Sequence, residues 1–525
     1  MVSTTLSTPE PEKQAHYDAD TPKDDTERAM VGGVFDADEE HEVFKRGAGV
    51  DFRTVGWPRA TVIFLKVIFA VGVLTIPTAM YSLGAVGGAL SVVAWGALHT
   101  YAALIQGDFR NNPKHKGCHG IADMANEVGG WVAREITGII FIVTYVLLTG
   151  SGILGVSIAF NTFSGHAVCT NWFSFISMII IIAAASVRKM HQVRVPKTDF
   201  LRQADRRQIG WLTWVGFTSI FAAVFIVVVA VTQTDRPAAA PQTGDFDLGY
   251  HAIAHPTFAA GMVATCSIHV SYAGTSAFLP VISEMRQPRD YKKALYICMG
   301  IVISAYLSFS LVVYRWCGQY VATPSLGSAG PTIQIVAYGV GFIGLTVSGC
   351  LYLHVGAKYV FVRILRNSPH LQADTWQHWV TWLGCTISLG AIAFVLAQAI
   401  PIFNYLLSLT GSLCFAPIAI MLPGWLGCYD HPHWRTGSIW QKMAYWGSAS
   451  MIPLGAFICV GGTYGVIVQI RQAYADGLIG EFFNESGVFG VRLTLHRLCF
   501  LLRRQLGYYR YWLSHIRVAR SSAAE

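Results

Sequence analysis

Two apolar stretches each carry a glycine, a proline and hydroxyl groups where unbroken hydrocarbon is expected. The first reads Val71-Gly72-Val73-Leu74-Thr75-Ile76-Pro77. The second reads Ser271-Tyr272-Ala273-Gly274-Thr275-Ser276-Ala277-Phe278-Leu279-Pro280. Pro77 cannot donate to the carbonyl of Val73, and glycine leaves helical geometry at little steric cost. Each pair therefore predicts an interrupted helix with free N–H and C=O groups. The positive end of a half-helix receives a carboxylate, and freed carbonyls receive an ammonium. Together they would hold a zwitterion by its backbone and leave its side chain to a pocket. The candidate binding positions are Val71, Gly72, Val73 and Leu74 with Ser271, Tyr272, Ala273 and Gly274. A kinked packing helix accounts for either pair alone, but less readily for two in register.

The elements that must position these breaks follow from composition. Of 525 residues, 53% are hydrophobic and 13% charged, against roughly 25% charged in soluble proteins. A soluble multidomain enzyme of this length lacks the charge to cover its surface. A bilayer crossing takes about 20 mainly apolar residues. Eleven such stretches stand at roughly 59–82, 86–106, 135–163, 172–187, 210–232, 257–281, 294–316, 332–357, 378–399, 402–425 and 443–470. They are numbered here as spans one to eleven. The expected fold is therefore an all-α polytopic membrane protein of about eleven transmembrane helices. The two breaks fall in spans one and six. This offset of five spans inverts a second repeat relative to the first.

Charge is segregated along the chain. Thirteen of the 30 acids lie between Glu10 and Asp51, in a tail (1–55) that reads as disordered and carries no apolar signal segment. With the N-terminus placed in the cytoplasm, the inner loops up to residue 442 hold twenty Lys and Arg, and the outer ones only Arg236 and Arg315. This bias sets orientation. It is not a nucleic-acid-binding balance, because the basic residues form short clusters between apolar runs. The domains expected are the acidic tail 1–55, a transporter-like membrane domain 56–470 and a basic tail 471–525, whose arginines suit no span.

Three ionisable residues near the breaks are gating or coupling candidates. Lys66 precedes the first break and either anchors a gate or snorkels to the interface. His269 lies in span six, where its protonation would follow physiological pH or where it would simply fill the core. Glu284 ends span six, placed to pair with Lys66 or Arg59, or to cap a loop. Asp123, Glu127 and Glu135 read as a solvated face, and Asn161, Thr144 and Asn404 as interhelical hydrogen-bond partners.

The run Leu65-Lys66 followed by Gly72-Val73-Leu74-Thr75-Ile76-Pro77 resembles the first-helix signature of the amino acid/auxin permease family. Tyr272-Ala273-Gly274, Phe278, Ile282-Ser283-Glu284-Met285 and Pro288 are similar to its sixth-helix signature. The likeness covers about residues 50–475 and is strongest to fungal neutral amino acid permeases. It implies a LeuT-like fold, a five-plus-five inverted repeat with one extra helix. It also implies secondary active, proton-coupled transport of neutral amino acids, aromatic and aliphatic, by alternating access around unwound helices one and six. Symport at the plasma membrane is the expectation, with a vacuolar carrier as the alternative.

Other classes find little support. A channel would need filter rings, and a membrane enzyme would need clustered intramembrane His, Asp or Cys. No hydrolase or redox motif, Walker loop, CxxC pair or metal spacing is present, so no catalytic residue, metal or cofactor is expected. His431-Pro432-His433 reads as a polar turn. Cys266, Cys298, Cys350, Cys385, Cys414 and Cys459 read as buried hydrophobes. The sixteen residues Val193–Gln208 interrupt the apolar rhythm. They read either as a basic cytoplasmic loop or as a translated intron, since valine codons begin GT and a glutamine codon is CAG. Their removal would join Gln192 to Ile209 in a compact turn. The intron reading predicts irregular backbone over 193–208.

Overall fold

The structure, a computed structural model, describes residues 55–476 except 116–117, 119, 166, 187–198, 366–367, 369 and 371–374. For residues 199–213, 280, 283 and 284 it describes the backbone alone. Both tails lie outside the described residues.

Nearly every described residue between 57 and 475 that is apolar in sequence is helical, and no ladder-forming strand occurs among the described residues. Eight helical stretches among them are long and apolar enough to cross a membrane. One of these, Trp57–Asn111, holds spans one and two, which meet at Gly84, whose φ of 78° only glycine adopts readily. Gly84 also abuts the backbone of Ala252 and Ala254, so a β-carbon there would clash. Thr170–Ala185 is apolar but shorter, and Phe258–Glu284 is apolar but interrupted. Each of the eleven apolar stretches read from the sequence thus falls on helix.

Spans one and six are the discontinuous ones, and they come together in the middle of the bundle. Span two packs against spans six and seven, and span eight against spans three and five. Large apolar side chains such as Leu90, Ile139 and Val460 face outward, as lipid-facing positions do. Trp376 and Trp440 sit at the first residues of their helices and Trp131 directly after a kink at Gly130; all three are strongly exposed, as interfacial aromatic anchors are. The six cysteines read as hydrophobes are buried or half-buried free thiols.

The backbone expected to be irregular over 193–208 is regular where it is described. Residues 193–198 lie outside the described residues, but Asp199–Thr232 is one continuous helix. Leu201, Arg202, Gln203 and Ala204 are good helix formers, and an Asp suits the first turn.

Candidate functional site

The first break is built from its neighbours upward. Helix Trp57–Ile68 ends when Phe69 leaves helical geometry, with ψ of 70°. Ala70 follows with φ of −119° and ψ of −139°, and a tight turn, Val71–Thr75, leads into the next half-helix. The departure therefore comes two to three residues before Gly72. Pro77 does not break the helix; it sits in the first turn of the half-helix that begins at Ile76, where its missing N–H costs nothing.

The second break repeats this order. Helix Phe258–Tyr272 gives way to a tight turn over Ala273–Phe278, and the helix Leu279–Glu284 resumes with Pro280 in its first turn.

The breaks touch reciprocally. A β-carbon on Gly72 would lie 2.8 Å from Ser271 Oγ and 2.9 Å from its Cα. One on Gly274 would lie 3.1 Å from Val67 Cγ1 and 3.2 Å from the Val67 carbonyl oxygen. Gly72 has no room for a larger residue unless the Ser271 backbone moves, and Gly274 has room only if Val67 gives by a few tenths of an ångström. Tyr306, from span seven, holds both breaks at once. Its hydroxyl lies 2.8 Å from the Ile68 carbonyl and 3.2 Å from that of Ser271, so one proton is shared between the last carbonyls of two half-helices. Thr75 Oγ1 donates to the Gly72 carbonyl at 2.9 Å. Buried and without a hydrogen-bond partner are the hydroxyls of Tyr272 and Thr275.

A small cavity opens at this crossing. Ala70, Val71, Gly72, Ser271 and Gly274 line it from the breaks. Tyr145 and Leu148 of span three, Tyr352 of span eight, and Leu407 and Phe415 of span ten complete its wall. Of the eight candidate binding positions, Val71, Gly72, Ser271 and Gly274 thus line the cavity. Val73, Leu74, Tyr272 and Ala273 are buried behind it. No acid, Lys or Arg is part of the lining.

Lys66 is buried and does not snorkel. Its Nζ donates to Ser348 Oγ of span eight at 2.8 Å, and that hydroxyl passes its own proton to the Gly344 carbonyl at 2.8 Å. The Lys66 stem runs against Gly216 of span five, where a β-carbon would lie 2.9 Å from Lys66 Cε. Lys66 thus ties the first half-helix to spans five and eight. The Glu284 side chain lies outside the described residues.

His269 does not stand alone. Its Nδ1 is 2.9 Å from Nε2 of His99 on span two, with the rings stacked at 4.9 Å, and both residues are fully buried. His99, Tyr306 and Ser348 are the residues sequence reasoning missed. His99 carried the same signal as His269, an imidazole near the centre of an apolar span; the other two are ordinary helix residues until their partners are known.

The ends of spans one and six on the N-terminal side are latched. The Arg286 N–H donates to the Val55 carbonyl at 2.8 Å, in a short parallel bridge between Val55 and Met285. Phe64 stacks on Phe278 at 3.9 Å. On the same side, Glu135 pairs with Arg363, and Asp123 caps the start of helix Ile121–Ser164. Cys118 lies there too; burial, then the Glu127 and Asp123 carboxylates, push its thiol up to about 12. Asn404 accepts from Ser267 at 2.6 Å, an interhelical role as expected.

A bundle of apolar helices, two of them broken and crossed over a cavity free of charged groups, defines a membrane transporter. The chain belongs to the transmembrane amino acid transporter family, which it matches over residues 53–197 and 207–468. The unmatched residues, 198–206, fall within the charged segment noted above. It is similar to a protein named transmembrane transporter from Gibberella moniliformis, 48% identical over 86% of this chain and 92% of that one. A transmembrane transporter from Fusarium pseudograminearum is 45% identical over 85% and 90% of the two chains. The N amino acid transport system protein of Neurospora crassa is 27% identical over 87% and 93%. Among solved structures, the chain is similar to MhsT in complex with L-phenylalanine, with 12% identity, a TM-score of 0.49, and coverage of 77% of this chain and 98% of that one.

Proposed function

We propose that this chain is a secondary active, proton-coupled transporter of neutral amino acids that alternates access around the unwound segments of spans one and six. The observation that carries the reading is the crossing itself. The turn starting at Val71 points the positive end of a half-helix at the cavity, where it would receive a carboxylate. The Ser271 carbonyl region, at the end of the opposing half-helix, would receive the ammonium. Tyr145, Leu148, Tyr352, Leu407 and Phe415 offer the side chain an apolar and aromatic wall. Burying an unpaired charge against it would be costly, which favours neutral substrates. The Neurospora crassa relative, named for amino acid transport, supports the substrate class. Proton coupling follows from the family resemblance, the N-terminus is placed in the cytoplasm by loop charge, and the plasma membrane is the expected site.

The test is uptake of a panel of labelled amino acids by cells expressing the chain, at two pH values, with the tagged protein localised in the same cells. Saturable uptake of neutral amino acids that rises at acid external pH supports the reading. Arginine or glutamate carried well while large neutral amino acids are carried poorly would refute it.

A further inference from the structure

His99 and His269 form a two-imidazole contact near the middle of spans two and six, far from any carboxylate partner. Among the described residues, no ion pair reaches either ring. One of the two facing nitrogens must carry the proton and the other a lone pair, so the neutral pair leaves one outer nitrogen as a base. His269 lies beside the backbone of Gly411, in the wide-turned segment Thr410–Met421 of span ten. If His99 Nε2–H donates to His269 Nδ1, the free base is His99 Nδ1; in the opposite tautomer it is His269 Nε2. Both outer nitrogens are buried and have no hydrogen-bond partner.

Full burial opposes a charge on either ring, and three features around the pair offset that cost. His269 stands in the last turn of half-helix Phe258–Tyr272, at the negative end of its dipole. Trp95 lies with its ring centroid 4.8 Å from that of His269, within reach of a cation–π contact. The neighbouring titratable groups carry no formal charge of the opposite sign; they are phenols and a thiol, Tyr272 and Cys266 on span six and Tyr306 on span seven. The nearest buried ammonium, Lys66 on span one, is turned to Ser348 on span eight.

We propose that the His99–His269 pair is the binding site of the coupling proton, taken up as a single charge shared between the two rings. The proposal rests on the proton-coupled reading above. The incoming proton forms an N–H bond at the free outer nitrogen, His99 Nδ1 or His269 Nε2 according to the tautomer, and the Nε2···Nδ1 hydrogen bond between the rings is kept. A second proton would set two N–H groups and two like charges face to face at 2.9 Å, so the pair holds one proton and not two. The charge reaches the candidate substrate site by a short path. His269 is two residues before Ser271, which contacts Gly72, and His99 stacks near Tyr272, which packs on Tyr306.

Proteoliposomes containing the full chain provide the test, with labelled L-leucine and L-phenylalanine as probes and a trapped pH dye reporting proton entry. His99→Gln and His269→Asn keep a side-chain nitrogen or oxygen near the bonded ring position but do not titrate. Each should reduce substrate-driven proton entry and uphill uptake by about ten-fold or more, retain counterflow exchange, and flatten its pH dependence. Variants that exchange substrate and still admit protons as the unmodified protein does overturn the site. The unmodified protein gives a readout that needs no variant to fold: one proton per amino acid, where none or two overturns the proposal. Amino acid uptake without proton entry defeats the proposal and leaves amino acid transport standing. No uptake of any amino acid defeats both.

Discussion

Gly72 and Ser271 occupy each other's space so fully that a β-carbon on Gly72 would fall 2.9 Å from the Ser271 α-carbon. A flexible side chain can step aside from such a contact, but a backbone atom cannot do so without moving its segment. Gly72→Ala should therefore push the two unwound segments apart. Gly274→Ala meets Val67 at 3.1 Å, a tighter-than-usual contact that a small adjustment relieves. Initial uptake rates, normalised to protein at the membrane, should fall by about ten-fold for Gly72→Ala and by less for Gly274→Ala. Equal rates for Gly72→Ala and the parent would show that the crossing is not under this constraint.

Tyr306→Phe removes one hydroxyl and leaves two half-helix carbonyls, those of Ile68 and Ser271, without their shared donor. A net hydrogen bond is worth about 1 kcal/mol, and a buried orphan acceptor costs somewhat more. The expected loss in kcat/KM is about 1–2 kcal/mol, roughly five- to thirty-fold. Unchanged transport kinetics would assign Tyr306 to packing alone.

Lys66→Met keeps the stem that lies along Gly216 and removes the buried amine. An ammonium held by one serine is poorly repaid for its lost hydration. The variant should melt about 1–4 °C higher in detergent while transporting less. A lower melting temperature would mean that the contact with Ser348 stabilises the fold.

The latch between Val55 and Met285 gives a conformational test. In a background without other reactive thiols, Val55→Cys with Met285→Cys should cross-link on oxidation and stop uptake. Reduction should restore it. Full transport by the cross-linked protein would show that these two segments stay together throughout the cycle.

Cys118 and Cys169 test orientation. Cys169 is exposed in the loop after span three, while Cys118 is buried in the loop before it. With the N-terminus inside, a membrane-impermeant maleimide added to intact cells should label Cys169. A thiol pushed up to about 12 is protonated at pH 7–9, so Cys118 should react slowly even after permeabilisation and faster as pH rises. Labelling of Cys118 from outside would reverse the orientation.

The sequence shows where the chain is interrupted better than how. Gly72, Pro77, Gly274 and Pro280 marked both breaks, because residue types that disfavour helix are conspicuous in apolar runs. Proline, however, is equally at home in the first turn of a helix, and that is where Pro77 and Pro280 stand. The departure at Phe69 and Ala70 comes from residues with no such preference. Pairings across the bundle were not legible. His99 and His269 are 170 residues apart, and Lys66 and Ser348 are 282 apart. Nothing local links such residues, so the contact of Lys66 with a serine on span eight was not legible, and the pairing expected with Glu284 falls on a side chain outside the described residues. Within Val193–Gln208 the irregular backbone expected gives way to helix from Asp199, because the charged segment holds good helix formers, while the family match itself skips 198–206.

The central claim is that the crossed, uncharged breaks carry neutral amino acids. It is tested most directly in proteoliposomes with an inward acid gradient, by comparing labelled L-leucine and L-phenylalanine with L-arginine and L-glutamate. The account predicts saturable uptake of the neutral pair, about ten-fold or more above the charged pair. It also predicts loss of that uptake in Gly72→Val and Gly274→Val proteins that insert normally. Normal transport by both glycine variants, or a preference for arginine or glutamate, would contradict it.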